Sequence, residues 1–247
     1  MGVFDEVSGT GRVYLFSQLH GKTNSNHVTS VLDNHISKYK TGKNQKRKIR
    51  VQLDNCSVNK CYVLIRYAAD LVKSGRYDEV EVCFMVPGHT KFNPDRMFAW
   101  LSDLLRTIDV FEISDIVAAV DRACEIYRSQ NGGREHPYSV ENIDQFNLIG
   151  EFIHFSDWNS RFEDTFRRFG YLNESHRFEV KKDESKTVLR VQQYSESDPK
   201  ITDFIKESVP LKPLRRLSKV HLKPAKVQDL SKVLKFIPGG SLSYVDE

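Results

Sequence analysis

KIRVQLDNCSVNKCYVLIRYAADLV, from Lys48 to Val72, and EVEVCFMVPGHTKFNPDRMF, from Glu79 to Phe98, decide the fold. Ile49, Val51 and Leu53 alternate with Arg50, Gln52 and Asp54, the period of a strand with one buried face, and Asp54 closes it. Asn55 to Ser57 supply capping chemistry. Val58, Tyr62, Ile65, Ala69 and Val72 then recur at helical spacing up to a stop at Gly75. Val80, Val82, Phe84 and Val86 alternate in turn and end at Pro87-Gly88. Strand, crossover helix and strand in that order predict two parallel neighbours. Asn93 is a good N-cap and Pro94 a good first helical residue, which puts Asp95 in the first turn of a helix running through Phe98, Leu101 and Leu105. Two carboxylates, Asp54 and Asp95, are thereby expected at one end of one sheet.

Outward from this unit, Gly2 to Leu19 reads as a hairpin turning at Ser8 to Gly11. Asn24 to Asn26 lead into an amphipathic helix carrying Val28, Val31, Leu32, His35, Ile36 and Tyr39. A basic run follows: Lys38, Lys40, Lys43, Lys46, Arg47, Lys48 and Arg50, with no acid between Asp33 and Asp54. Phe111 to Gln130 predicts another helix, capped by Ser114 and ended by Gly132-Gly133. The composition shifts there, so the expected division is 1–133 and 134–247. In the second part, Trp158, Phe162, Phe166 and Phe169 fit one helical face, and Phe178, Val180, Val188 and Val191 fit a hairpin. A proline-broken basic segment from Lys212 to Lys226 precedes a last short helix over Val227 to Leu234.

The chain has 247 residues, 39% of them hydrophobic, enough for a real core, and its net charge of +4 does not by itself announce nucleic acid. Cys56, Cys61, Cys83 and Cys124 form no regular framework, as expected of reduced cysteines in an intracellular protein. No signal peptide and no membrane-spanning apolar run is read. There is no Walker loop and no G-x-S-x-G elbow, which argues against an NTPase or serine hydrolase. Cys56, Cys61 and His89 lack a fourth ligand and a C-x-x-C pair, so no zinc is expected.

The element order resembles the ribonuclease H-like fold of retroviral integrases and DDE transposases, with its first strand missing. More narrowly, LDNCSVNK (Leu53 to Lys60), PGHT (Pro87 to Thr90) and PDRMF (Pro94 to Phe98) resemble an uncharacterised family of transposon-derived eukaryotic proteins. Those proteins carry a DNC followed by an asparagine-lysine pair, then GHT or GHS and an aspartate-arginine-x-phenylalanine. HGKTNSNHVTSVL (His20 to Leu32) and DLSKVLKFIP (Asp229 to Pro238) extend the match across nearly the whole chain. The resemblance implies an α/β fold, a mixed ribonuclease H-like sheet flanked by helices over 1–133, with an α+β extension beyond. It also implies a nuclear protein acting on DNA phosphodiesters with Mg²⁺ or Mn²⁺, whose ions sit roughly 4 Å apart between carboxylates.

By position Asp54 and Asp95 match the second and third acids of that family trio, as catalytic residues and metal ligands, with His89 as an auxiliary group. The first acid has no clear counterpart. Asp5, beside a turn, is the only early aspartate, and Cys61 stands where asparagine or lysine is typical. The expectation is therefore a fragment or a domesticated relative with impaired or no activity. The alternative is a non-catalytic module that binds nucleic acid or protein. Plainer roles stand beside these: Asp54 as a helix cap, Asp95 as a favourable charge at a helix start, His89 as a turn residue. Lys43, Lys46, Arg47 and Lys48, with Asn59 and Lys60 on the following helix, are the candidate phosphate contacts, or else a solvated surface.

Overall fold

The computed structural model describes residues 1–7, 10–16, 18–38, 47–86, 93–130, 138–142, 155–183, 186–194, 197–206 and 209–233. They fall into two compact units, each discontinuous in sequence: 23–90 with 153–217, and 1–22 with 91–152 and 218–247.

The first unit is built on a five-stranded sheet. Strand β3 (Lys48–Leu53) pairs in parallel with β4 (Glu79–Phe84), joined by helix α2 (Tyr62–Lys73), as the alternation predicts. Beyond β4 the ladder continues antiparallel through β6 (Arg177–Asp183), β7 (Lys186–Gln192) and β8 (Lys200–Thr202). The 134–247 part is thus no separate α+β extension: its strands complete the sheet that begins with β3. Alternation sets the sheet's two faces. Val80, Val82, Phe84, Phe178, Val180, Leu189 and Val191 are buried on one of them.

Helix α2 lies on that buried face, and α1 (Ser25–Ser37) and α5 (Trp158–Phe162) pack against it in turn. This sandwiching explains why Val63 to Ala69, Leu71 and Val72 are all buried, a helix apolar nearly all round. Gly75, at φ +75, turns the chain out of α2, a left-handed conformation that glycine adopts without strain. Helix α1 is capped by the Asn24 side chain, which accepts from the N–H groups of Asn26 and His27. Tyr67 on α2 donates to Asp33 Oδ1 at 2.9 Å, and Arg76 reaches the same oxygen at 2.7 Å. The Ser30 hydroxyl accepts from the buried Trp158 indole at 3.0 Å, leaving no orphan donor there.

Two helix readings are corrected. The α2 helix starts at Tyr62, not after Ser57, so Asn55 to Lys60 form a turn. Trp158, Phe162, Phe166 and Phe169 are all buried as their spacing predicts, but the helix ends at Phe162, and Phe166 instead bridges Ile205.

In the second unit, β1 (Gly2–Asp5) and β2 (Thr10–Leu15) form the predicted hairpin, and β2 pairs in parallel with β5 (Tyr138–Asn142). The hairpin therefore belongs to a three-stranded sheet of its own, not to the sheet of β3 and β4. Helices α3 (Asn93–Leu105) and α4 (Ile113–Gln130) close a small core of Val13, Leu101, Leu104, Ala119, Val120 and Ala123. At the start of α4 the cap is Asp115, not Ser114: its carboxylate accepts from the N–H groups of Phe111 and Glu112 at 2.8 and 2.9 Å. Those hydrogen bonds hold the Asp115 pKa down. The last helix, α6, spans Pro224–Val233. No helix among the described residues is long and apolar enough to cross a membrane.

Candidate functional site

The loop from Asp54 to Cys61 lies where the parallel strands β3 and β4 end, the edge at which open α/β sheets hold ligands. Its shape follows from its own side chains. Asp54 Oδ1 accepts from the Cys56 N–H at 3.2 Å and from the Asn59 side-chain amide. Cys56 O then accepts from the N–H groups of Asn59 and Lys60, at 3.1 and 2.8 Å, which closes the turn. A short polar side chain has thus drawn these residues out of the helix, the competition that aspartate and asparagine offer to backbone pairing. Among the described residues Asn55 Oδ1 is buried without a partner.

Lys60 leaves the turn towards β6, donating to Asn173 O at 2.8 Å with its ammonium 5.8 Å from the Phe84 ring centre. Partial burial lowers its pKa. His176 closes the same end of the sheet. Its O accepts from the Phe84 N–H at 2.7 Å, its Nδ1 lies 3.2 Å from Phe84 O, and its ring stacks on Tyr194. A carbonyl only accepts, so this contact places the proton on Nδ1. Asn173, His176 and Tyr194 were not singled out from sequence. What brings them to this end of the sheet is the pairing of β4 with β6, and no local periodicity reveals it.

The neighbouring thiols are not activated. Burial raises the pKa of Cys61, and burial followed by the Asp54 carboxylate raises that of Cys56. Cys83 on β4 is pushed up to about 12 by burial and by Glu81. Thiols in this state are poor nucleophiles and poor metal ligands at neutral pH.

The other expected residues are distributed as follows. Arg47 and Lys48 sit at the opposite end of β3 from Asp54, about 20 Å away along six extended residues. Both are engaged there: Arg47 N–H donates to Asp78 Oδ2 at 2.8 Å, its guanidinium donates to Gly75 O, and Lys48 Nζ lies 2.6 Å from Glu79. Asn59 and Lys60 are in the turn, not on α2. Asp95 is exposed in the first turn of α3, as predicted, and belongs to the other compact unit. Lys43, Lys46 and His89 lie outside the described residues.

The sheet face away from α2 carries a charge ladder. Glu81, 7% exposed, lies between Arg50, whose Nε donates at 3.0 Å, and Arg177, whose Nε is 2.6 Å away. Burial alone would raise the Glu81 pKa, but hydrogen bonds from Cys83 and Arg50 and the charges of Arg177 and Arg50 outweigh it and lower the value below 4.5. A depressed carboxylate contributes stability that is full above its unfolded pKa and is lost as the pH falls through the folded one. Glu81→Gln is therefore expected to cost on the order of 1 kcal/mol at pH 7, since Arg50 is largely in water. Urea unfolding at pH 7 and at pH 3 checks this, the gap between parent and variant closing at the lower pH.

Among the described residues no group of three or more His, Cys, Asp or Glu side chains is arranged to hold a metal ion.

A comparison with family models matches residues 1–197 to the Domain of unknown function (DUF7869). No curated protein and no solved structure matches the chain.

Proposed function

From the premise that the chain belongs to the DUF7869 family, we propose that it is a transposase- or integrase-derived domain of ribonuclease H-like type that binds nucleic acid without cutting it. The parallel β3 and β4 with Asp54 just past the strand end, together with the DNC, GHT and PDRMF strings, support the derivation. The observation that carries the loss of chemistry is the Asp54 carboxylate. Its Oδ1 shapes its own turn, as a capping residue's would, and among the described residues no group of three or more His, Cys, Asp or Glu side chains converges with it, whereas phosphodiester cleavage with Mg²⁺ or Mn²⁺ needs carboxylates that converge on the ions. The Lys38–Arg50 and Lys212–Lys226 runs supply positive charge for a phosphate backbone, and a nuclear site of action goes with that partner.

Duplex DNA titrated at rising salt, beside plasmid nicking in Mn²⁺, tests this reading. Affinity is expected at micromolar order or weaker, falling about 40-fold between 50 and 200 mM salt for three phosphate contacts. Asp54→Ala is expected to leave that binding unchanged. Binding that is absent, or indifferent to salt, would contradict a nucleic-acid role.

A further inference from the structure

The loop that leads into β6 is pinned at three points. Phe169 O accepts the Tyr62 hydroxyl at 2.7 Å, Asn173 O accepts from Lys60 Nζ at 2.8 Å, and His176 is tied to Phe84 through both its O and its Nδ1. Between these ties Tyr171 is held at φ +70, a left-handed conformation that is costly for a residue with a bulky side chain. Its O accepts from the Ser175 N–H at 3.0 Å. The Tyr171 ring is 48% exposed, and the Lys200 ammonium from β8 lies 3.5 Å from its centre. Tyr194, just past β7, is 52% exposed and stacks on His176, 10° from parallel with ring centres 5.7 Å apart. Its backbone is fixed as well: the Tyr194 N–H donates to Ser197 Oγ at 3.1 Å, and Tyr194 O accepts from the Ser197 hydroxyl at 2.8 Å.

A tyrosine covered on one side of its ring and half in water turns the other side outward. Single exposed tyrosines are ordinary. Here two are backed, one by an imidazole and one by an ammonium, and both backings meet on one tied-down loop, one of whose residues keeps a strained backbone. Open aromatic faces set among ammonium groups suit a polymer of flat rings and phosphates, whose bases stack on the tyrosines while Lys60 and Lys200 face its charge. A duplex hides its base faces in its own stack. A single strand offers them.

We infer that Tyr171 and Tyr194 are stacking platforms for unpaired bases of a single nucleic-acid strand, with Lys60 and Lys200 beside them for its phosphates. The inference rests on the nucleic-acid reading and adds to it the form of the strand and the place of its bases.

The test is fluorescence anisotropy of a labelled oligothymidylate of about ten nucleotides titrated with the full chain, beside a labelled duplex of the same length. Tyr194→Ala and Tyr171→Gly are each expected to weaken oligothymidylate binding about fivefold or more. Neither removes a charge, so duplex affinity is expected to stay the same. Tyr194→Phe keeps the ring and is expected to bind like the parent. Thermal unfolding without nucleic acid should find Tyr171→Gly as stable as the parent, because glycine adopts the left-handed conformation without strain and this offsets the lost ring contacts. Duplex binding without oligothymidylate binding, or oligothymidylate affinity that survives both substitutions, overturns the inference and leaves the nucleic-acid reading standing. An equal fall in duplex affinity also overturns it, since the tyrosines would then not be meeting unpaired bases. A chain that binds neither probe overturns both.

Discussion

A protein truncated after Gly133 is expected to show no cooperative unfolding transition, although it retains the hairpin, α1, the β3-α2-β4 unit and the two helices that follow. The reason lies in what the later residues bury. Trp158, Phe162, Phe166, Phe169, Phe178, Val180, Leu189 and Val191 belong to the same core as α2 and β4. Burial of one large apolar side chain is worth roughly 1.5–3 kcal/mol, so four of the aromatics alone match the scale of a domain's net stability, about 5–15 kcal/mol. Without them β4 also loses its β6 neighbour and becomes an edge, as β3 already is. Circular dichroism during a thermal melt decides the point. A cooperative melt in the truncated protein would mean that the 1–133 segment holds a sufficient core of its own.

The second large effect is expected at Phe178. Its ring is fully buried, opposite Val82 on β4 and Val191 on β7, with the rings of Phe84 and Phe169 centred 5.7 and 6.1 Å away. Phe178→Ala leaves a cavity at the centre of the sheet and should cost about 3–5 kcal/mol. Ile201→Ala, at a β8 position 65% exposed, should stay within about 0.5 kcal/mol. Urea unfolding separates the two, a shift in midpoint at constant slope reporting stability alone. Equal small effects would contradict the placement of β6 between β4 and β7.

These two results turn on the part of the fold that local pattern could not supply. Strand β3, helix α2 and strand β4 were legible because period-two alternation, helical spacing and the Gly75 stop are properties of neighbouring residues. The partner of β4 is not such a property: Phe178 and Val180 alternate equally well as a free hairpin or as the third strand of a sheet begun at Lys48. For the same reason the hairpin at the N-terminus could not be assigned to its own sheet, since β5 pairs with it from beyond Gly133. The start of α2 was misread because Asp54, Asn55 and Ser57 are all good capping residues, and a turn closed by Asp54 and Asn59 uses the same chemistry. Phe166 and Phe169 continue the helical spacing of Trp158 and Phe162 but lie beyond the end of the helix, Phe166 in a bridge to Ile205. The place of Asp54, just past the end of β3, is legible in the alternation. Asn173, His176 and Tyr194, at the same end of the sheet, come from segments that only the β4–β6 ladder brings near.

The contacts of Asp54 itself, with the Cys56 N–H and the Asn59 side-chain amide, are those of a turn residue. The most direct measurement is nicking of supercoiled plasmid in Mn²⁺ by the full chain beside Asp54→Ala. The proposed loss of chemistry predicts the same background level for both proteins. Robust nicking by the parent that disappears in Asp54→Ala would contradict it and return Asp54 to the role of a metal-binding carboxylate.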